Sequence, residues 1–467
     1  TPIKNENKKI LLRKNQEETE KDMPKKITRR DFIRLSSLTL GSSLLASCRA
    51  PFGIGDNRPN FLVILTDDQR YDTMQYMPKT QELIFDQGVT FSHGYVSSPL
   101  CGPSRASILT GTHVHKHNVR DNKGELNVGT FVEDLQDNGY YTGLVGKYLN
   151  KWKGEMRPEY DYWASLFKDD SRYNDLDYNV NGEWHWQVPG YITDITRDFV
   201  LDFVDEASSQ LKPFFLLFGV TAPHGPAIPA AEDEALYTDL PPHRPPNFNE
   251  ADISDKPDSI NWRPLFDEAG IANIEEFRRG QILSLLSADR AVAAIVQKLE
   301  ETGELDNTVL IFLSDNGKHW GEHRLESKGT AYEESIRVPF AMRYPPLVPE
   351  PYTENRLVNS VDIAPTFYDL AGIPIPEHLD GKSLVPMLAG DNWLREEIFI
   401  ECWPSRGHWE AIHGGRYKYI ETDENRSEFY DLEEDPYELE NQIDNPDYAE
   451  IIAHMKISLD ERRGDYS

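Results

Sequence analysis

Cysteine is scarce in this sequence: Cys48, Cys101 and Cys402 are the three among 467 residues. That excludes a disulfide framework and leaves each thiol to be explained on its own. Positive charge is also scarce, with 49 Lys and Arg against 79 Asp and Glu, a formal net charge of -30. Such a chain excludes nucleic-acid binding through a general basic surface. An anionic substrate would have to meet positive charge gathered locally. Internal repeats are absent. The apolar stretch from Leu35 to Leu45 falls short of the ~20 residues of a membrane span. What is present, 39% hydrophobic and 11% aromatic residues, suits a large core plus a smaller one.

The N-terminal region reads as an export signal. Residues 1–22 are polar and aperiodic and are taken as an upstream, non-native segment. In residues 23–48, Arg29-Arg30 precede the short apolar stretch, as in a twin-arginine signal. The stretch ends Leu45-Ala46-Ser47-Cys48, which resembles a bacterial lipoprotein box, with Cys48 the lipidated first residue of the mature chain. The expected location is the periplasm or the bacterial cell surface, with the lipid anchor as the sole membrane attachment.

Residues 49–58 read as a linker. Asn60-Phe-Leu-Val-Ile-Leu-Thr66, Pro213 to Val220 and Thr308 to Ser314 are apolar runs expected of strands buried on both faces. Helices are expected over 78–88, from Ser104 to Thr110, over 128–138 and over 275–301, with a further strand from Tyr141 to Val145. Strands alternating with helices predict an α/β protein with a mostly parallel sheet covered on both faces. From about residue 395 short alternating segments predict a small antiparallel sheet closed by a helix over 447–462. The domains are therefore set at 59–394 and 395–467. Residues 148–191 carry ten Tyr and Trp among polar residues; without clear periodicity they are expected on loops, where rings such as Trp184 could stack on sugars.

Two of the buried strands end in paired oxygen ligands: Asp67-Asp68 and Asp315-Asn316. Sites form at the C-terminal ends of parallel strands. Three carboxylates and an amide favour Ca2+, then Mg2+, over Zn2+. Either pair alone would more simply cap a helix or form a turn. Between them lies Ser98-Pro-Leu-Cys101-Gly-Pro103-Ser-Arg105-Ala-Ser-Ile-Leu-Thr-Gly111. Cys-x-Pro-x-Arg at a helix start combines free N–H groups with a forked cation, which suits an anion. Cys101 could equally be a low-pKa thiol nucleophile or a plain buried residue.

This segment resembles the signature of type I sulfatases, whose Cys or Ser is oxidised to Cα-formylglycine (3-oxoalanine). The resemblance extends over Asp67-Asp68-Gln69, Val145-Gly-Lys147-Tyr, Ala222-Pro-His224, Ser314-Asp-Asn-Gly317, Gly321-Glu-His323, Lys328 to Pro339 and Phe429 to Pro436. It implies an alkaline-phosphatase-like fold and hydrolysis of sulfate esters. The formylglycine at position 101 would act as its hydrate, one hydroxyl attacking sulfur and the other ejecting sulfate. The resemblance assigns Asp67, Asp68, Cys101, Asp315 and Asn316 to a Ca2+ site. It gives Arg105 to the diol, Lys147 and Lys328 to the sulfate oxygens, and His224 to the ester oxygen or leaving group. It also implies a formylglycine-generating maturation enzyme as a partner.

The chain departs from the common pattern at Leu149, where many sulfatases carry a histidine. That variant resembles the N-acetylglucosamine-6-sulfatase branch, and His319 or His323 is the candidate to fill the role. His113, His115 and His117 read as structural or substrate-edge residues. Arg406 and His408 could read a neighbouring sugar charge, and Cys402 reads as a buried thiol. The expected substrate is a sulfated polysaccharide or its oligosaccharides. Two alternatives are a phosphonate or phosphodiester hydrolase of the same superfamily and a glycan-binding lipoprotein without catalysis.

Overall fold

The structure, a computed structural model, describes residues 56, 58–167, 172–391, 393, 395–403, 407–423 and 426–464. The signal segment with Cys48, most of the linker and Arg406 lie outside these residues.

In chain order the strands are β1 (Asn60–Thr66), β2 (Val89–Phe91), β3 (Gly94–Tyr95), β4 (Tyr141–Gly146), β5 (Tyr162–Leu166) and β6 (Asn174–Val180). There follow β7 (Glu183–Tyr191), β8 (Phe214–Gly219), β9 (Thr308–Ser314), β10 (Phe340–Arg343), β11 (Tyr352–Glu354) and β12 (Val358–Asn359). Near the C-terminus come β13 (Ile398–Cys402), β14 (Trp409–His413), β15 (Tyr417–Thr422) and β16 (Glu428–Asp431). Ten strands form one sheet in the order β11-β2-β10-β9-β1-β8-β4-β5-β6-β7. Its centre, β9-β1-β8-β4-β5, is parallel, and its flanks are mixed. β1, β8 and β9 are buried at every position, the outcome their unbroken apolar runs require when helices cover both faces.

One face carries Leu62, Ile64 and Phe218, packed on Phe199 and Phe203 of the helix Ile192–Ser208 and on Leu285 and Val292 of the helix Glu268–Thr302. The other carries Phe61, Val63 and Leu65, packed on Ile108 and Leu109 of the helix Cys101–Thr110 and on Phe367 of the helix Ile363–Ala371. The sandwich is thus built from two cores that share one sheet. The antiparallel sheet β13-β14-β15-β16 packs Ile400, Ala411 and Ile420 toward Tyr332 and Ile336, and the helix Ala449–Gly464 covers its other face through Met455 and Leu459. Buried charges cross the inner seam: Lys418 bonds Glu333 at 3.1 Å and Glu438 at 2.6 Å, and His413 bonds Glu333 at 3.0 Å. Among the described residues no helix is long and apolar enough to cross a membrane.

Some expected elements shift. The helix expected from Ser104 starts at Cys101, because a proline in the first turn loses no intrahelical bond. The long helix starts at Glu268, earlier than expected, with the Asp267 carboxylate accepting from Gly270 N–H at 2.8 Å. The larger correction concerns residues 148–191. They do not form an aromatic loop: β5, β6 and β7 run through them and widen the main sheet. Tyr148, Tyr160, Trp163, Tyr173 and Tyr178 are buried. Aromatic residues are strand formers when a partner strand gives them a face to pack on.

Candidate active site

The register of the parallel strands brings distant residues together. β1 and β9 pair in step from Asn60↔Thr308 to Thr66↔Ser314, so Asp67-Asp68 and Asp315-Asn316 leave the sheet side by side. β8 lies on the other side of β1, and β4 follows it. Lys147 is the first residue after β4, and His224 lies five residues past β8. The loops are drawn close there: Lys147 N–H donates to Gly219 O at 2.9 Å, and a Cβ at Gly146 (φ +89°) would stand 2.2 Å from that oxygen. Only glycine fits this crossing. Asp68 adopts φ +66°, which an aspartate tolerates better than most residues, and turns away from the strand direction at once.

Cys101 opens its helix against this edge. Its Sγ lies 3.3 Å from Asp67 Oδ1, 3.8 Å from Asp68 Oδ1 and 2.6 Å from Lys328 Nζ. Lys328 also binds Asp68 Oδ1, and Lys147 Nζ lies 2.5 Å from Asp67 Oδ2. Arg105, one helical turn after Cys101, donates from Nε to Asp315 Oδ2 at 2.7 Å and from Nη1 to Lys147 O at 2.9 Å. Asp315 Oδ1 accepts from Asp68 N–H at 3.2 Å. Asn316 donates to Asp68 Oδ1 at 2.8 Å, while its own Oδ1 is buried without a hydrogen-bond partner. From behind, Gln281 of the long helix donates to Pro223 O at 2.9 Å, holding the loop that carries His224.

Asp67, Asp68, Cys101 and His224 offer ligand atoms that all lie within 4.8 Å of one another. This grouping differs from the expected ligand set. His224 joins the cluster, while Asp315 is engaged by Arg105 and the backbone of Asp68. The Asn316 oxygen supplies the test of fit. An unsatisfied buried amide oxygen costs about 1–3 kcal/mol, and a hard cation beside the carboxylates would satisfy it. The donor set therefore fits an oxygen-preferring divalent ion.

The charges act on one another. Burial would raise the Asp67 carboxyl, but Lys147, His224, Arg105 and Lys328 outweigh it and hold it well below the usual range. Asp68 is likewise lowered against burial, chiefly by Lys328. Burial and the negative charge of Asp67 raise Asp315. Burial, then Asp315 and Asp67, push the Cys101 thiol well up. The encoded thiol is thus kept protonated, the opposite of an activated thiolate.

The remaining expected residues fall in various places. Leu149 is buried in the core, so no polar gap stands where the common pattern of the resembled family has histidine. His319 is buried, its Nε2 is 2.8 Å from Thr330 Oγ1, and burial pushes its pKa down to about 3. It shares a cavity wall with Lys328. His323 is fully buried, with Nδ1 2.7 Å from Glu250 and its ring against Tyr332. His117 contacts Ser107 at 2.9 Å and accepts from Val119 N–H, and His115 contacts Glu401 at 2.9 Å. Trp184 stacks on Trp186 at the outer edge of the sheet, and His408 stacks on Trp403. Cys402 is a buried thiol. One cation escaped the sequence reading: Lys318 Nζ lies 3.8 Å from Asp68 Oδ2. Its place next to Asp315-Asn316-Gly317 was the available signal.

Comparison with known proteins completes the picture. The family model described as "Sulfatase" matches residues 59–373, and that described as "N-sulphoglucosamine sulphohydrolase, C-terminal" matches residues 321–465. The human N-acetylglucosamine-6-sulfatase is 35% identical over 388 residues, 77% of this chain and 70% of that protein. An N-acetylglucosamine-6-O-sulfatase of Bacteroides thetaiotaomicron is 27% identical over 510 residues, 92% of this chain and 90% of the relative. Two invertebrate extracellular sulfatase homologues, from Drosophila melanogaster and Caenorhabditis elegans, are 33% and 34% identical, and the matches span 34% and 50% of their lengths. A protein solved with its substrate, D-glucosamine-2-N,6-O-disulfate, superposes with a TM-score of 0.77 at 25% identity, covering 88% of this chain and 98% of the other. A phosphonate monoester hydrolase of Agrobacterium radiobacter shares the fold, with a TM-score of 0.71 at 21% identity, covering 88% of this chain and 96% of the other.

Proposed function

Since the chain belongs to the sulfatase family and is a sulfuric ester hydrolase, we propose that it removes sulfate from a sulfated glycan through a formylglycine made from Cys101. One observation carries this reading: the Cys101 side chain is where the Asp67-Asp68 carboxylates and the Lys328 ammonium meet. Four cations, Lys147, Lys318, Lys328 and Arg105, surround three carboxylates, Asp67, Asp68 and Asp315. That local excess of positive charge suits a sulfate ester in a chain that is otherwise strongly acidic.

In the proposed mechanism the aldehyde at position 101 adds water to become a geminal diol. One hydroxyl attacks sulfur, and the bond from sulfur to the sugar oxygen breaks. His224 Nδ1–H donates to Gly225 O at 2.7 Å, leaving Nε2 for the reacting oxygen; the protonated ring would give its proton to the departing alcohol. Lys147 and Lys328 face the sulfate oxygens, where negative charge gathers in the transition state. The second hydroxyl then loses its proton, the C–O bond to sulfate breaks, and the aldehyde returns. Asp67, Asp68, Asp315 and Asn316, with residue 101, would hold the cation, Ca2+ before Mg2+. When bound, that ion supplies charge stabilisation at the sulfate oxygens and acidifies the attacking hydroxyl. A thiol or a serine at position 101 has no second hydroxyl and would stay sulfated.

The named relatives support a 6-O-sulfated hexosamine within a polysaccharide or its oligosaccharides as substrate. The proposal includes a formylglycine-generating enzyme, export to the bacterial periplasm or surface, a lipid anchor at Cys48, and the division into residues 59–394 and 395–467. Two measurements test it together. Mass spectrometry of the peptide containing residue 101 should find the aldehyde or its hydrate in active protein. Sulfate and phosphate esters assayed side by side should show preference for sulfate. Full activity with an intact thiol, or preference for phosphate, would reject the reading.

A further inference from the structure

The loop that carries His224 is held by its carbonyls. Tyr173 donates its hydroxyl to His224 O at 2.6 Å, Tyr191 donates to Ile228 O at 2.9 Å, and Gln281 Nε2 donates to Pro223 O at 2.9 Å. Tyr173 immediately precedes β6 and Tyr191 ends β7. Their rings lie 5.8 Å apart. Ser284 and Ser287, which follow Gln281 at three-residue steps along the long helix, hydrogen-bond the two hydroxyls. All five side chains are buried. A buried hydroxyl costs free energy unless it is bonded, and phenylalanine would fill the same volume without that cost. Tyr148 and Tyr160, buried in the same aromatic segment, have hydroxyls with no hydrogen-bond partner among the described residues. Tyr173 and Tyr191 instead aim theirs at one loop. The peptide that Tyr173 grips is a particular one. The His224 ring is fixed through Nδ1–H on Gly225 O at 2.7 Å. The peptide unit joining His224 to Gly225 therefore links the two anchors of the ring, its own Cα and that carbonyl. The oxygen of this unit also accepts Ala227 N–H at 3.0 Å, so the turn survives without the hydroxyl but loses its tie to the sheet.

We propose that Tyr173, with Tyr191 behind it, is a positioning residue that sets the direction of His224 Nε2 toward the departing oxygen of the substrate. The inference rests on the reading above that His224 protonates the leaving alcohol. It gives the β6–β7 extension of the sheet a part in the reaction, although the Tyr173 side chain is fully buried.

The test uses the matured enzyme with its metal and a series of sulfate esters. Their leaving alcohols are graded in acidity, from a nitrophenol to the primary hydroxyl of a hexosamine. A nitrophenolate leaves without a proton, whereas a sugar alkoxide needs one. Tyr173→Phe should lower kcat/KM about ten- to a hundredfold on the sugar ester and about twofold or less on the nitrophenyl ester, as expected when a general acid is displaced from its reacting geometry. The plot of log kcat/KM against leaving-group pKa should therefore steepen. A purely structural loss would lower all esters alike and leave the slope unchanged. Tyr191→Phe, whose bond falls four residues beyond His224, should steepen it less. Where Tyr173→Phe does not fold, the slope of Tyr191→Phe decides. His224→Ala is the control for the premise. It should steepen the plot fully, and adding Tyr173→Phe to it should change kcat/KM by about twofold or less on every ester. Equal loss on all esters in His224→Ala would sink the acid role and the inference with it. A steeper plot in His224→Ala, with the wild-type slope kept in both tyrosine variants, would overturn the positioning inference alone.

Discussion

Asn316 allows a sharp prediction, because the contribution of this one side chain should depend on calcium. Its Oδ1 is buried without a partner, and its Nδ2 donates to Asp68 and to Gly317 O, each at 2.8 Å. Asn316→Leu keeps the shape and removes the amide. In chelator, the loss of two hydrogen bonds, about 1 kcal/mol each, is offset by removal of the orphaned oxygen, worth about 1–3 kcal/mol. Stability should therefore stay within about 1 kcal/mol of wild type. Calcium at a hundred times its Kd should stabilise wild type by about 2.7 kcal/mol. With unfolding entropy near 2.1 cal/mol/K per residue over about 400 ordered residues, that raises Tm by about 3 °C. In Asn316→Leu at the same calcium concentration the rise should shrink to about 0.5–1.7 °C, since a lost ligand weakens binding about 10- to 100-fold. Thermal melts in chelator and in calcium, on both proteins, are the assay. An equal calcium shift in the two would refute the assignment of Asn316, and no shift in wild type would refute the cation site.

Other consequences follow from the core. Burial pushes His113 and His117 down to about 3, so both fold as neutral rings while the unfolded chain binds protons near pH 6.5. Their contribution is whole above pH 6.5 and is lost as pH falls toward 3. At pH 5 each should cost about 2 kcal/mol relative to pH 7, and urea midpoints for wild type and His117→Asn should converge as pH drops. Trp163 is fully buried and donates to Gly154 O at 2.9 Å; Trp163→Ala should cost about 3–5 kcal/mol. Trp186, 48% exposed on the edge strand, should cost below about 0.5 kcal/mol when changed to Ala. Chemical denaturation of the two variants would expose the reverse order if the strand assignment were wrong.

Much of this architecture could be read from the chain because its signals are local. β1, β8 and β9 are unbroken apolar runs, and their register alone brings Asp67, Asp68, Asp315 and Asn316 to one edge. The aromatic segment was misread for the opposite reason. β6 and β7 lie at the sheet edge with irregular register between Asn174 and Tyr178, so alternation is broken where pairing slips. Lys318 was missed because a single lysine has no pattern; only the fold places its ammonium near Asp68. The cavity beside Lys328 was equally illegible, since its walls come from segments about 150 residues apart that only packing unites.

Under the proposed conversion of Cys101 to formylglycine, the complete burial of that residue also sets a timetable. A side chain with no exposure can be rewritten by another enzyme only while the chain is open. The site closes when β1 pairs with β9, a contact between residues 60–66 and 308–314, which requires one of the longest loops in the protein to close. Translation and that slow closure leave an interval in which the segment around Cys101 is a plain peptide. The same long-range pairing that shelters the reacting group then ends the interval, so a chain that folds too early would be locked with its thiol intact. Yield of active protein would then be a race between two clocks, and slowing folding would raise the active fraction without touching a single catalytic residue.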